Sequence, residues 1–303
     1  MTIRYDDRVA IVTGAGAGLG REHALLLASR GARVVVNDPG GSVEGTGSAN
    51  SAADRVVAEI VAAGGEAVAN YASVADREGA NSIIATAVDK WGRLDILVNN
   101  AGILRDKSFH KMEISDFEFV VQVHLMGTVF CTQAAWPVMR AQKYGRVVVT
   151  TSISGTLGNF GQTNYGAAKM GVLGLINCLR QEGASYNILT NAISPAARTR
   201  MTEALLPESV LEWLKPELVS PAVAWLCSEE CNISGEVIAA SAGSYSVVRY
   251  VQSDGVQFDP GEPVTIEMFA EALPKITDLS SPEPHAGNLR KLEDRLRAIG
   301  RIK

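Results

Sequence analysis

Apolar residues fall along the chain in two alternating patterns. Short continuous runs rich in Val and Ile, namely "RVAIVTG" (8–14), "RVVVND" (33–38), "AVANYA" (67–72), "LDILVNN" (94–100), "RVVVTTS" (146–152), "ILTNAIS" (188–194) and "EVIAAS" (236–241), are separated by longer stretches of mixed polarity. A run that is apolar on both faces reads as a strand covered on both sides, and the long spacers between such runs read as crossover helices. The pattern therefore predicts an α/β fold: a doubly wound parallel sheet of about seven strands, with helices on both faces. Two spacers carry helix boundaries of their own. Residues 51–63 begin at Ser51 and stop before Gly64 and Gly65, and residues 76–91 begin at Asp76 and stop at Gly92. Residues 39–50, "PGGSVEGTGSAN", are rich in Gly and Ser and are expected to be a flexible insertion after the second strand.

The alternation ends near residue 245. The chain is thus expected to divide into a domain over 1–245 and a C-terminal extension over 246–303 that docks on the domain or across a subunit interface. Within the extension, Leu289, Leu292, Leu296 and Ile299 recur at three- and four-residue steps, which predicts a final amphipathic helix.

Composition narrows the function. A chain of 303 residues that is 47% hydrophobic can bury a large core, and a net charge of −5 argues against a nucleic-acid or membrane-surface partner, since those usually leave a basic stripe. A small-molecule substrate is expected instead. Charges at Arg4, Asp6, Asp7 and Arg8 precede the first apolar run, unlike a secretory signal, and no apolar run in the sequence is expected to span a membrane. Cys227 and Cys231 lack the partners of a zinc site and are expected to pack, so no metal is expected and the four cysteines fit a reducing cytoplasm.

The first strand runs straight into "TGAGAGLGREHALLLASRG" (13–31). Gly14, Gly18 and Gly20 stand where a strand must turn and a helix begin, so backbone N–H groups and the helix dipole can meet a pyrophosphate without obstruction by a Cβ. Asp38 closes the second strand, where a carboxylate accepts the hydroxyls of an adenosine ribose and repels a 2′-phosphate. The expected cofactor is NAD. Asp38 can also simply open the Pro39–Gly40 turn.

"TNYGAAKMG" (163–171) places Tyr165 and Lys169 at i and i+4, on one helix face, with only small residues between them. "NNAG" (99–102) and "TTSISG" (150–155) follow the fourth and fifth strands, so Ser152 and Tyr165 are expected at the carboxyl edge of the sheet, where open sheets bind ligands. A cation close to a phenol favours the phenolate, so Lys169 is expected to lower the pKa of Tyr165 and make it an acid/base, with the Ser152 hydroxyl holding the substrate oxygen.

Taken in this order, T-G-x-x-x-G-x-G, N-N-A-G, Ser and Y-x-x-x-K resemble the short-chain dehydrogenase/reductase family over roughly residues 8–245. The resemblance implies a Rossmann-type fold and hydride transfer between a nicotinamide and a carbonyl/alcohol pair, carried by Ser152, Tyr165 and Lys169. It implies cofactor contacts from Gly14, Gly18, Leu19 and Gly20 in the turn and from Asp38 at the ribose. Ser73 and Val74 would lie at the adenine, and Asn99, Ala101 and Gly102 near the ribose. Tyr165 and Lys169 would border the nicotinamide ribose. The loop 195–199 would bring Pro195 and Arg198 to the carboxamide, although it reads "PAART" where the family begins proline–glycine. A further departure is "VHLMG": His124 occupies the place of an asparagine that completes a proton relay. It either rebuilds that relay, with the imidazole or a backbone carbonyl, or packs.

Longer stretches, among them "NNAGILRDKSF", "VHLMGTVFCTQAAWPVM" and "GNFGQTNYGAAKMGVLGL", resemble one branch of the family. This is the (3R)-hydroxyacyl-CoA dehydrogenase part of peroxisomal multifunctional enzyme type 2, together with its bacterial stand-alone relatives. The branch implies NAD-dependent oxidation of (3R)-3-hydroxyacyl-CoA, a mobile lid over 201–214, and pairing through residues 115–140 and 163–187 into a homodimer or a homotetramer. Arg105, Lys107, Arg198 and Arg200 are candidate cations for the CoA phosphates. The chain ends "GRIK", unlike a peroxisomal address, and a bacterial cytoplasm is expected. Two other readings stay open: a dehydrogenase of free 17β-hydroxysteroids, and a catalytically silent NAD-binding sensor or scaffold.

Overall fold

Seven runs of β-branched residues lie side by side as parallel strands in a computed structural model that describes residues 2–47, 51–199, 203, 207–280, 283–284 and 288–302. They are β1 (Val9–Thr13), β2 (Arg33–Asn37), β3 (Glu66–Asn70), β4 (Ile96–Asn99), β5 (Gly145–Thr150), β6 (Ile188–Ala196) and β7 (Val237–Ser241). An eighth strand, β8 (Ser244–Val248), follows β7 after Ala242 and Gly243, both with positive φ, as a tight hairpin turn requires. The sheet order is β3-β2-β1-β4-β5-β6-β7-β8, one strand more than the sequence predicts. "SYSVV" is largely exposed and so carries no continuous apolar run.

The helices are α1 (Gly18–Ser29), α2 (Ser51–Ala62), α3 (Arg77–Trp91), α4 (Ile114–Val121), α5 (Gly127–Gln142), α6 (Ile153–Thr156), α7 (Thr163–Gly183), α8 (Glu208–Leu211) and α9 (Ser220–Cys227), then α10 (Ile266–Ile276) and α11 (Asn288–Ala298). Asp76 caps α3 by accepting from the Gly79 N–H at 2.7 Å, and Gly92 ends it in the left-handed region. Valines and isoleucines of β1, β2, β4, β5 and β6 pack with Ala24 and Leu27 of α1 and with Val223, Leu226 and Cys227 of α9 in one core that also takes in Cys231. Such burial is worth roughly 2 kcal/mol per large aliphatic side chain.

The strand order reverses at β1, whose neighbours are β2 and β4. The carboxyl ends of β1 and β4 therefore flank the crevice in which such sheets take their ligands. One turn of π-helix, Gln122–Met126, joins α4 to α5. By length and composition alone the combined helix Ile114–Gln142 could cross a membrane, contrary to the expectation from the sequence; here it packs on α3 and α7.

The insertion after β2 is tethered rather than loose. The Leu104 N–H donates to the Val43 carbonyl at 2.9 Å, and Arg105 Nε donates to the Glu44 carbonyl at 3.0 Å. A Cβ at Gly45 would press on Phe119 and Ile103. The tether is long-range, so Gly/Ser content alone could not reveal it; residues 48–50 lie outside the described residues.

The chain divides into two units, Met1–Val247 and Val248–Lys303. The second holds a two-stranded antiparallel ribbon of β9 (Val251–Gln252) and β10 (Glu283–Pro284), the predicted final helix as α11, and α10, which the sequence reading did not anticipate. Thr265 caps α10 by accepting from the Met268 N–H at 3.2 Å. Arg301 forks onto Asp259.

Candidate active site

The glycine turn is built against the "NNAG" segment. Gly14 has φ +63°, and a Cβ there would stand 2.8 Å from Ala101 Cα, so only glycine fits. A Cβ at Gly20 would collide with the Gly14 carbonyl. Asn100 fastens the two segments: its Nδ2 donates to the Thr13 and Gly14 carbonyls at 3.0 and 3.1 Å. The Thr13 hydroxyl oxygen accepts from the Asn100 and Ala101 N–H groups. Neither Thr13 nor Asn100 was among the predicted site residues, although both lie inside the quoted motifs.

Asp38 lies beyond β2, with Oδ2 accepting from Gly16 N–H at 2.8 Å and Oδ1 from Gly40 N–H at 2.7 Å. It thus packs onto the glycine turn and opens the Pro39–Gly40 turn at once. Val74 is buried against Gly127, and the Ser73 hydroxyl accepts from the Ala75 N–H. The Asn99 carboxamide turns away from the cleft and donates to Thr132 Oγ1 on α5 at 3.1 Å. β6 runs on through Pro195 and Ala196, so the expected 195–199 loop is part strand, and Gly18 faces Thr199. Arg198 pairs with Glu203 and Glu208, while Arg105 and Lys107 pair with Asp116 at 3.0 and 3.7 Å. The candidate phosphate cations among the described residues thus have protein partners; Arg200 and most of 201–206 lie outside those residues.

Ser152, just after β5, caps α6 by accepting from the Ser154 N–H at 3.2 Å. Tyr165 stands in the first turn of α7, half-buried, and Lys169 follows on the same face with Nζ 5.5 Å from the phenol ring centroid. The Ser152 side chain neighbours the phenol and favours its ionised form. Lys169 is 3% exposed; its Nζ donates to the Thr150 carbonyl at 2.5 Å, and its own carbonyl accepts from Thr151 Oγ1 at 2.8 Å. The π turn of 122–126 directs the His124 ring into the same place. There its edge meets the Tyr165 ring at 5.0 Å between centroids, and a Cβ on Gly102 would strike it. His124 Nε2 lies 3.0 Å from the Ile103 amide nitrogen and 2.7 Å from its carbonyl oxygen, while the His124 carbonyl accepts from Thr128 Oγ1.

Electrostatics corrects one expectation. Burial, joined by the Asp106 charge and opposed by the Ser152 side chain, pushes the Tyr165 phenol up to about 12. Burial pulls Lys169 down to about 7. The lysine does not depress the phenol here, because removing both charges from water outweighs their attraction at this separation. Burial likewise holds His124 well below the usual histidine range, as a neutral imidazole. Thr150 Oγ1 and His124 Nδ1 are buried without a hydrogen-bond partner among the described residues. The site thus combines a phenol, an amine whose pKa burial lowers and polar atoms without partners among the described residues, a set suited to proton transfer beside a bound ligand.

The sequence profile of the short chain dehydrogenase family matches residues 8–209. A short-chain type dehydrogenase/reductase of Mycobacterium tuberculosis is 55% identical over 274 residues, 90% of this chain and 95% of that protein. Peroxisomal multifunctional enzyme type 2 of Drosophila melanogaster is 53% identical over 94% of this chain, which spans only 47% of that protein's length. Its solved full-length structure superposes with a TM-score of 0.82 at 45% identity, over 98% of this chain and 50% of that one. The peroxisomal hydratase-dehydrogenase-epimerase of Saccharomyces cerevisiae is 50% identical over 91% of this chain and 31% of its own.

Proposed function

The chain belongs to the short chain dehydrogenase family and is an oxidoreductase; from that premise we propose that it oxidises (3R)-3-hydroxyacyl-CoA to 3-ketoacyl-CoA with NAD. One observation carries the reading: Ser152, Tyr165 and Lys169, brought by β5 and α7, meet beside the crevice between β1 and β4. The similarity to enzymes named peroxisomal multifunctional enzyme type 2 and hydratase-dehydrogenase-epimerase supports the hydroxyacyl-CoA substrate class.

The residues present fit a dinucleotide. Gly14 and Gly20 let the turn close tightly on the NNAG segment at the start of α1, whose N-terminus suits a pyrophosphate, and the Asp38 carboxylate, with two of about four lone-pair sites used, still has acceptors for ribose hydroxyls. A 2′-phosphate there would face a negative charge, which favours NAD over NADP. When bound, NAD would supply the hydride acceptor and a positive charge. On the chain's side, Tyr165 Oη, once it has released its own proton to solvent, takes the proton of the substrate hydroxyl as the phenolate, Ser152 Oγ holds that oxygen, and Lys169 Nζ, anchored by the Thr150 carbonyl, sits behind the phenol. His124 acts by position: it wedges between Ile103 and the Tyr165 ring and stays neutral. A homodimer is the expected assembly, and sedimentation velocity distinguishes it from a tetramer.

Initial rates test the assignment. NAD with a (3R)-3-hydroxyacyl-CoA should support turnover at least roughly tenfold faster than NADP or a free 17β-hydroxysteroid, and Tyr165→Phe should lose about 10³-fold in kcat while still binding NAD. Faster oxidation of the free steroid would replace the substrate class. Full NAD binding with no turnover of any alcohol would leave a sensor.

A further inference from the structure

Beside the Ser152/Tyr165/Lys169 group lies a second polar cluster centred on Gln162, the residue that leads into α7. Gln162 is 6% exposed, yet its carboxamide is fully engaged: Oε1 accepts from Ser154 Oγ at 2.8 Å and from Asn159 Nδ2 at 3.1 Å, and Nε2 donates to Asp106 Oδ2 at 2.7 Å. Its backbone carbonyl accepts from the Gly166 N–H at 2.7 Å. Next to it, Asn164 Nδ2 donates to the Arg105 carbonyl, and Asn164 Oδ1 accepts from the Tyr165 N–H. The Lys107 N–H donates to the Gly161 carbonyl. Three segments are therefore stitched together: the stretch after β4, the stretch after β5 and the helix turn that bears the phenol. A buried carboxamide satisfied at both ends fixes geometry more firmly than a surface contact does.

Asp106 is the one charged member of this cluster. Its chain neighbours Arg105 and Lys107 do not neutralise it, because both turn to Asp116. Among the described residues, Lys169 from its own helix and His124 from the π turn meet the Tyr165 ring, and the Asp106 carboxylate is held by Gln162, three residues before the phenol on the same helix turn; the Ser152 side chain adjoins the phenol from the stretch after β5.

Resting on the proposed reading of the Ser-Tyr-Lys site, we propose that Asp106 is a positioning residue for the reaction: clamped by Gln162 at the turn that bears the phenol, its carboxylate acts on the proton of Tyr165 Oη. In support, the Asp106 charge adds to burial in raising the phenol's pKa, while Asp106, exposed on its outer side but held by Gln162 on its inner one, is itself pushed above the usual carboxylate range. A negative charge near a phenol favours its protonated form. Oxidation, which needs the phenolate, should then start at a higher pH than the site would reach without Asp106.

Asp106→Asn is the direct test, since an amide oxygen can still accept from Gln162 while the charge is gone. The kcat–pH profile is measured with (3R)-3-hydroxybutyryl-CoA and NAD, and in reverse with acetoacetyl-CoA and NADH. The acid limb of oxidation and the alkaline limb of reduction should both move to lower pH, by roughly half to one unit, giving about three- to tenfold faster oxidation on the acid limb with KM unchanged. A structural defect would instead lower kcat in both directions at every pH. Gln162→Met, which releases the carboxylate, should move both limbs the same way by less and serves as the second variant should Asp106→Asn fold poorly. Limbs that coincide with wild type in whichever variants fold would overturn the proposal. Tyr165→Phe separates the two levels: if it stays active, the site reading fails; if it is inactive while the Asp106→Asn profile coincides with wild type, only Asp106 is misassigned.

Discussion

Both ends of the parallel strands bury polar side chains, but they treat them in opposite ways. At the amino ends, the Asp95 side chain is fully buried and wholly paired: it accepts from the Val9 N–H at 2.9 Å, from Arg8 at 2.9 Å and from Arg93 at 2.7 and 2.8 Å. Arg146 nearby, also buried, donates to the Ser228, Gly145 and Asn187 carbonyls, and both Arg8 and Arg146 stack on Tyr144. At the carboxyl ends, Lys169 Nζ has one carbonyl, and Thr150 Oγ1 and His124 Nδ1 have no partner among the described residues. Polar groups that satisfy one another serve the fold; polar groups that converge and stay unsatisfied are held ready for something else. Composition is no guide to the difference, since both ends offer cations, hydroxyls and an aromatic ring.

The largest effect should come from Lys169→Met, which replaces the ammonium by an apolar group of similar length. Turnover should fall by about 10²–10⁴-fold, while the protein without cofactor becomes more stable. The pH dependence gives the sign. The folded pKa of about 7 lies below the roughly 10.4 of an unfolded lysine, so between these values the unfolded chain holds a proton that the folded one has released. Stability of the wild type therefore rises with pH across that window. The gain from Lys169→Met should be full below pH about 7 and vanish near pH 10.5. Thermal melts at pH 6 and 9.5 check it; an equal gain at both would mean that the lysine is buried without penalty.

Asp95→Ala should show the reverse behaviour. It leaves the Val9 N–H without its acceptor, leaves Arg93 without its carboxylate and leaves Arg8 with Glu229 alone, which should lower stability by about 2–4 kcal/mol, measured by denaturant unfolding, with kcat per folded molecule within about twofold of wild type. A large loss of kcat in molecules shown to be folded would mean that the two ends are coupled and the contrast drawn above is false.

How much of this could be read from the letters depended on the range of the interaction. Parallel strands buried on both faces must be continuously apolar, so β1 to β7 stand out, and the i, i+4 spacing by itself puts Tyr165 and Lys169 on one helix face. The exposed hairpin strand β8 leaves no such trace. α10 is masked by the Gly and Pro around it, although Thr265 offered a cap. The docking of residues 40–47 and the clamp of Asp106 by Gln162 join segments roughly 60 residues apart in the chain, beyond any periodicity. The upward shift of the Tyr165 phenol was missed for another reason: a sequence shows which charges are adjacent but not how much water they lose, and here desolvation outweighs adjacency.

The smallest effect isolates burial as the variable. Arg198 meets Glu208 at 2.6 Å, as close as Arg93 meets Asp95 at 2.7 Å. If short contacts between opposite charges decided stability, Arg198→Ala and Asp95→Ala would be equally damaging. They differ in solvent: the side chains of Arg198 and Glu208 are 40% and 72% exposed, whereas that of Asp95 is 0% exposed. Water already stabilises the separated charges of an exposed pair, and holding two long side chains in one geometry offsets most of what remains. Arg198→Ala should therefore move the melting temperature by at most about one degree, within the range of ordinary surface substitutions. A drop comparable to that of Asp95→Ala would mean that Arg198 is part of a buried network, and would place the 195–199 stretch with the amino-end cluster as a structural element.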